Sequence, residues 1–381
     1  MDKFGLIFGA TIIIAIYGSA NYYIASKIYQ WLRLFFPSVN LKLFASVYIF
    51  IAFSMILAFL PLPSSVNNLV SWLSAYWMGI FVYLFLFILM VHLIILIGTM
   101  VKIIPTPLPQ KFHFFAGFIV VLLTSSFVGY GIYNANQIKH VSYDILMKET
   151  PLPGGMKVIL ISDLHLGAVN SEKRLESIVD DINKLEPDIV CIAGDIFNDD
   201  YNAIQDPERA MNLLKSITAT YGVYGSLGNH DSGKTFGDMI TFLERSNIKL
   251  LTDEYQIIDE RLIVYGRVDP SPIGGFGDIK RKDSTEILAS IDTNLPIIVM
   301  DHTPTKLEQY GEEIDLVLAG HTHRGQIFPG SLVTNAIFEV DYGHYQKDAT
   351  SPHVIVTSGV GTWGMPMRVG TNNEIVRIQL R

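Results

Sequence analysis

Acidic residues are missing where this chain is most apolar: between residues 3 and 143 there is neither an aspartate nor a glutamate. Residues 1–150 hold eight Lys or Arg against three acids, Asp2, Asp144 and Glu149, which leaves 20 basic and 33 acidic residues for 151–381. The two parts therefore carry +5 and −13, and the overall −8 describes neither. Cysteine is almost absent too. Cys191 is the only one, so an intrachain disulfide is excluded, and its place in an apolar run marks it as core. There is no internal repeat, no low-complexity tract, no Gly-rich phosphate loop and no Gly-x-Ser-x-Gly elbow, which sets aside P-loop nucleotide binding and a serine-elbow hydrolase. At 381 residues the chain exceeds what one core usually organises, and the charge split points to two units.

The first unit is rich in apolar length. Runs near residues 4–25, 43–62, 73–98 and 114–135 each reach the ~20 residues that cross a bilayer. Four such runs predict four transmembrane helices within a membrane part, 1–135, of a multi-pass cell-membrane protein. A cleavable signal peptide would be one shorter run. His92 lies in the third span, no span holds a carboxylate, and a helix-to-helix hydrogen bond is expected of it. The loop after the first span carries Lys27, Arg33 and Lys42, the loop after the third carries Lys102 and Lys111, and residues 61–68 carry no charge. Basic loops stay cytoplasmic, which predicts both chain ends outside and an extracytoplasmic second unit, against a weaker opposing bias from Lys3, Lys139 and Lys148. Residues 136–156, with Pro151, Pro153, Gly154 and Gly155, read as a short connector that keeps the second unit, 157–381, near lipid headgroups.

In that unit apolar runs stop abruptly at ligand-type residues. The run 157–162 ends in Asp163-Leu164-His165, whose two polar side chains, two apart on a strand end, project the same way. Further runs end in Gly194-Asp195, in Gly228-Asn229-His230-Asp231, in Asp301-His302, and in Gly320-His321-Thr322-His323. In an open α/β sheet functional groups gather at the carboxyl ends of strands, so five such endings can face one point and form a shared metal centre. Helical spacing recurs in 171–185 behind a Ser171 cap and in 210–217, 236–243 and 284–291, while 352–358 and 374–380 read as antiparallel strands. The expected architecture is an α-helical transmembrane part followed by an α/β sandwich.

The ordered blocks Asp163-x-His165, Gly194-Asp195, Gly228-Asn229-His230-Asp231, His302 and Gly320-His321-x-His323 resemble the five-block signature of the calcineurin-like metallophosphoesterases over about 220 residues. Residues 320–326 and 359–368 resemble the bacterial membrane-associated branch of that family. The resemblance implies an αββα-type metallophosphoesterase sandwich with a dinuclear centre. One ion would be held by Asp163, His165, Asp195 and His323, the other by Asp195, Asn229, His302 and His321, with Asp195 bridging through its two oxygens. Nitrogen and oxygen donors without thiolate suit manganese first, then iron or zinc. Implied too is an enzyme that hydrolyses phosphoester or pyrophosphate bonds by attack of a metal-bridging hydroxide, with His230 as general acid. Arg324, next to a ligand, is a candidate substrate contact. The family often has an acid three residues after the bridging Asp to orient the motif histidine. Here Asn198 stands there, so either Asp199 serves instead or His230 is a weaker acid.

Closeness to the bilayer favours a lipid-linked or envelope-derived phosphoester. The −13 charge argues against nucleic acid. The alternative class is a membrane sensor or scaffold that uses a phosphoesterase-like domain without turnover. Degenerate domains lose ligands, and every ligand block is present here.

Overall fold

The computed structural model describes residues 3–58, 60, 62–147, 154–169, 172–291 and 295–381. The chain divides into two compact units, Met1–Tyr130 and Gly131–Arg381.

The first unit is helical: α1 (Lys3–Leu32), α2 (Leu41–Leu57), α3 (Ser64–Met100) and α4 (Gln110–Ala135), the last of which runs on into the second unit. Among the described residues two helices, Val66–Met100 and Gln110–Ala135, are long and apolar enough to cross a membrane, whereas α2, equally apolar, has 17 residues. Phe59 and Pro61, within the second expected span, lie outside the described residues. Asn40 starts α2 by accepting from Lys42 N and Leu43 N at 2.9 and 3.1 Å. The interior gathers Ile24, Ala52, Leu84, Ile88 and Val120 around Tyr48 and Trp77. Two of its polar side chains pair across helices: Tyr17 Oη donates to Ala52 O at 2.7 Å, and Trp77 Nε1 donates to Tyr17 Oη at 3.2 Å. The His92 imidazole and the Tyr23 hydroxyl hydrogen-bond across α3 and α1, the helix-to-helix link expected of His92. Outward, Ile13, Ile16, Leu43, Leu69 and Leu93 are exposed.

The second unit is built on two sheets. Strands β1 (Ile138–Ile145), β2 (Met156–Ile161), β3 (Ile189–Ala193), β4 (Val223–Ser226), β5 (Ile248–Leu250), β6 (Glu254–Ile258), β7 (Leu262–Gly266), β8 (Ile297–Met300), β9 (Leu316–Ala319), β10 (Gly343–Tyr345), β11 (His353–Val356) and β12 (Asn373–Leu380) alternate with helices α5 (Glu172–Lys184), α6 (Pro207–Lys215), α7 (Phe236–Arg245), α8 (Ser284–Leu288) and α9 (Gly330–Ile337). The sheet orders are β1-β12-β2-β3-β4-β5 and β10-β11-β9-β8-β7-β6. Strand β3 shows why they stack. Its Ile189, Cys191 and Ala193 meet Val264, Met300 and Leu318 of the other sheet, while Val190 and Ile192 turn to Leu175, Val179 and Leu214 of α5 and α6. A strand buried on both faces reads as an unbroken apolar run, and each of its large side chains contributes about 1.5–3 kcal/mol. The second sheet has its own outer layer, Tyr265 and Val299 against Leu288 and Tyr310. Helix–sheet–sheet–helix is the result.

Two expectations change. The stretch 136–156 is not a plain connector, because β1 pairs parallel with β12 along all eight of its residues, from Ile138 opposite Asn373 to Ile145 opposite Leu380. As an edge strand it has a wet face of His140, Ser142 and Asp144, with Lys139 also exposed, which hid it behind the prolines that follow. The two terminal strands are antiparallel on one side only: β11 is antiparallel to β10 but parallel to β9, from which the chain arrives by a crossover that includes α9, and β12 is antiparallel to β2 but parallel to β1. Pro151, Pro153 and the Ser171 cap lie outside the described residues.

Candidate metal centre

Five loops leave the carboxyl ends of β2, β3, β4, β8 and β9, and each delivers expected residues: Asp163 and His165, Asp195, Asn229 and His230, His302, then His321 and His323. Two groups form there. Asp163, His165 and His323 offer ligand atoms within 4.8 Å of one another, as do Asp195, His302 and His321. In the first, His323 Nε2 lies 3.3 Å and His165 Nε2 3.9 Å from Asp163 Oδ1, and the two imidazole nitrogens are 3.1 Å apart. In the second, His302 Nε2 is 3.1 Å from Asp195 Oδ2, and Asn229 Oδ1 is 2.9 Å from His321 Nδ1. Asp195 Oδ2 joins the groups, being also 3.7 Å from His165 Nε2. Its Oδ1 accepts from the backbone N–H of His230 at 2.9 Å, which makes the two carboxylate oxygens unequal.

The backbone is bent to make this convergence. Of the seven expected ligands, Asp163, His165, Asp195, His321 and His323 have φ between 47° and 69°, a left-handed conformation that non-glycine residues seldom adopt. Such strain persists only where the surroundings over-determine it, and it clusters at functional sites. Glycine clears the rest. A Cβ on Gly228 would stand 2.2 Å from Asp195 Oδ1, and one on Gly194, itself at φ 78°, would stand 2.7 Å from His302 Nδ1.

The electrostatics ask for cations. Burial pushes the Asp163 carboxyl up to about 6, and burial pulls His165 down to about 3 and His321 to about 4. Burial acts on Asp195 to raise it and on His302 to lower it, yet each outweighs this in the other, holding the carboxyl low and the imidazole high. His302 Nδ1 is tied to Ala193 O at 2.7 Å, which leaves the buried Nε2 facing Asp195 Oδ2 at 3.1 Å. A lone pair cannot face a carboxylate unless a positive charge lies between them. A proton serves in the bare protein and a metal ion replaces it, so the donor set fits divalent ions, and the carbonyl-tied ring is how metal-binding histidines are usually oriented.

Beside the ligands, Asp199 Oδ1 lies 2.7 Å from His230 Nδ1. The left-handed turn at Asp199, φ 65°, brings its carboxylate where Asn198 stands in register, so Asp199 takes the orienting position. Burial acts to lower the His230 pKa, but the Asp199 bond and the charge of Asp195 outweigh it and hold it above the ordinary value. Arg324, expected as a substrate contact, has its guanidinium over the Tyr342 ring at 4.2 Å.

Two residues went unassigned in the sequence. Asp231, within the quoted Gly-Asn-His-Asp block, accepts from Phe197 N and Gly228 N at 2.8 and 2.9 Å and so ties the loops after β3 and β4 together. Arg368 is fully buried and donates to His323 O, Ser358 O and Gly361 O at 2.8, 2.6 and 2.7 Å and to Asn373 Oδ1 at 2.8 Å. Its only signal was its place at the end of the 359–368 stretch.

The calcineurin-like phosphoesterase family matches residues 156–325. An uncharacterized metallophosphoesterase of Aquifex aeolicus is 30% identical over 63% of this chain and 90% of its own. An uncharacterized metallophosphoesterase of Helicobacter pylori J99 is 30% identical over 61% of this chain and 63% of its own. A transmembrane protein with metallophosphoesterase domain from Danio rerio is 29% identical over 69% of this chain and 62% of its own. The chain thus spans somewhat under two thirds of the length of several relatives it matches.

Proposed function

Because this chain belongs to the calcineurin-like metallophosphoesterase family, we infer that it is a membrane-anchored, metal-dependent phosphoesterase acting on phosphoester or pyrophosphate bonds. The observation that carries this reading is the pair of ligand groups meeting at Asp195 Oδ2, with the His230–Asp199 pair beside them.

Asp163, His165, Asp195 and His323 would hold one ion, and Asp195, Asn229, His302 and His321 the other. Bound there, divalent ions supply a nucleophile from water at neutral pH and neutralise phosphoryl charge. The chain's own groups do the rest. Ala193 O fixes which nitrogen His302 presents, and the His230 backbone N–H fixes which oxygen Asp195 presents. His230, held through Nδ1 by Asp199, keeps Nε2 to give a proton to the leaving oxygen, and its raised pKa keeps that proton available near neutral pH. Manganese is the first choice of metal on donor chemistry.

Four spans, an extracytoplasmic second unit and a lipid-linked or envelope-derived substrate complete the proposal. They rest on the apolar helices, the loop charges and the bilayer that anchors the chain. The test is a screen of the purified full chain with Mn2+ against generic phosphomonoesters, phosphodiesters and pyrophosphates, alongside Asp195→Ala. Hydrolysis that depends on the metal and on Asp195 supports the reading, and metal-loaded protein inert toward all three classes refutes it.

A further inference from the structure

The helical unit holds a cavity of about 400 Å³ that no catalytic residue touches. Its wall is apolar along Leu84, Ile88 and Val120, and Lys27, His92 and His113 share it. Lys27 is the unusual member. Its ammonium lies 5.7 Å from the centre of the Tyr23 ring, and Tyr23 in turn bonds His92. No described carboxylate pairs with it, and the sequence offers none from residue 3 to residue 143. Lys27 is partly buried in that lining with no carboxylate to pair it, so an anionic group entering the cavity would gain a charge-assisted partner there. The ligand must be negative at one end and apolar along its length.

We propose that this cavity binds a phosphate-bearing lipid, its phosphate on Lys27 and His113 and its chain along Leu84, Ile88 and Val120. The inference stands on the helical unit alone and does not rest on the activity proposed for the second unit. Lys27 has three N–H donors for phosphate oxygens, and the wall gives the chain the contact that membrane lipid otherwise provides. The occupant is a resident phospholipid, because the loop charges assign the Lys27 and His113 end of the helical unit to the cytoplasmic side and the second unit to the outside.

The test uses the full chain in mild detergent, titrated with phosphatidylglycerol, phosphatidylcholine or diacylglycerol and read by native mass spectrometry. Phosphatidylglycerol should bind best, with diacylglycerol, which lacks phosphate, at least about tenfold weaker, the loss expected for one charge-assisted contact. Lys27→Gln should erase the preference and Lys27→Arg should keep it, with thermal unfolding confirming that each variant is folded. Val91→Trp, which fills the cavity without touching the charge, should reduce binding of all three lipids and serves if Lys27→Gln does not fold. Equal binding of phosphatidylglycerol and diacylglycerol, or full binding in Val91→Trp, overturns the proposal.

Discussion

If Asp199 orients His230, removing its charge must weaken proton donation without emptying the metal centre. The perturbation is Asp199→Asn, nearly isosteric. The 2.7 Å separation is that of a charge-assisted hydrogen bond, a class worth about 1.5–3 kcal/mol. Because the Asp199 side chain is 49% exposed, solvent screens it and the low end applies, about 1.5 kcal/mol, or roughly tenfold in turnover. His230→Ala removes the acid altogether and should cost about 10² to 10⁴. Both losses should appear on an alkyl phosphate, whose leaving alkoxide needs a proton, and nearly vanish on nitrophenyl phosphate. The sign of the pH effect follows from the charges. Asp199 raises the His230 pKa and the protonated form is the active one, so Asp199→Asn should move the alkaline limb of the rate profile to lower pH. Asn198→Ala should change turnover less than about twofold, since Asp199 and not Asn198 holds His230 Nδ1. The assay is turnover against pH on the two substrates at saturating Mn2+. Equal losses on both substrates would refute the general-acid role, and an Asp199→Asn protein with wild-type rates and an unmoved limb would refute the pairing.

Other outcomes follow from the same geometry. Asp195→Ala should lose both metals and His323→Ala mainly one, measured by elemental analysis; two ions retained in Asp195→Ala would sink the bridging assignment. Gly228→Ala should lower metal content and Tm together, because its methyl would stand 2.2 Å from Asp195 Oδ1 and 2.3 Å from Asp195 N and so push both the carboxylate and its loop; unchanged metal content would contradict the close approach. Arg368→Leu strands three carbonyls and the Asn373 oxygen, costing at least about 3 kcal/mol and lowering Tm by on the order of 10 °C; an unchanged Tm would contradict its role as the tie behind His323. Reporters fused to the carboxyl terminus should be active if they work outside the cytoplasm and silent if they work only inside, and the reverse pattern overturns the topology.

Much of this protein was legible in the chain itself. The apolar helices follow from long runs without acid, and the sheets from apolar runs ending at ligand-type residues, because period and burial are local properties. The candidate ligands were equally local, since a carboxylate or an imidazole at a strand end needs no neighbours to be noticed. Strand β1 was not legible, because its polar face looks like a linker until β12 lies beside it. Nor was the choice between Asn198 and Asp199, which no spacing rule settles: a single left-handed turn at Asp199 decides it. The same holds for Asp195, whose two oxygens are equivalent in the sequence and become unequal only when the His230 N–H takes one of them. Arg368 shows the limit most sharply, since a lone arginine in a loop says nothing of the four acceptors, from four separate residues, that fold around it. Side-chain chemistry is written residue by residue, but direction, tautomer and pairing are properties of contacts between distant segments, and only the closed fold brings those segments together.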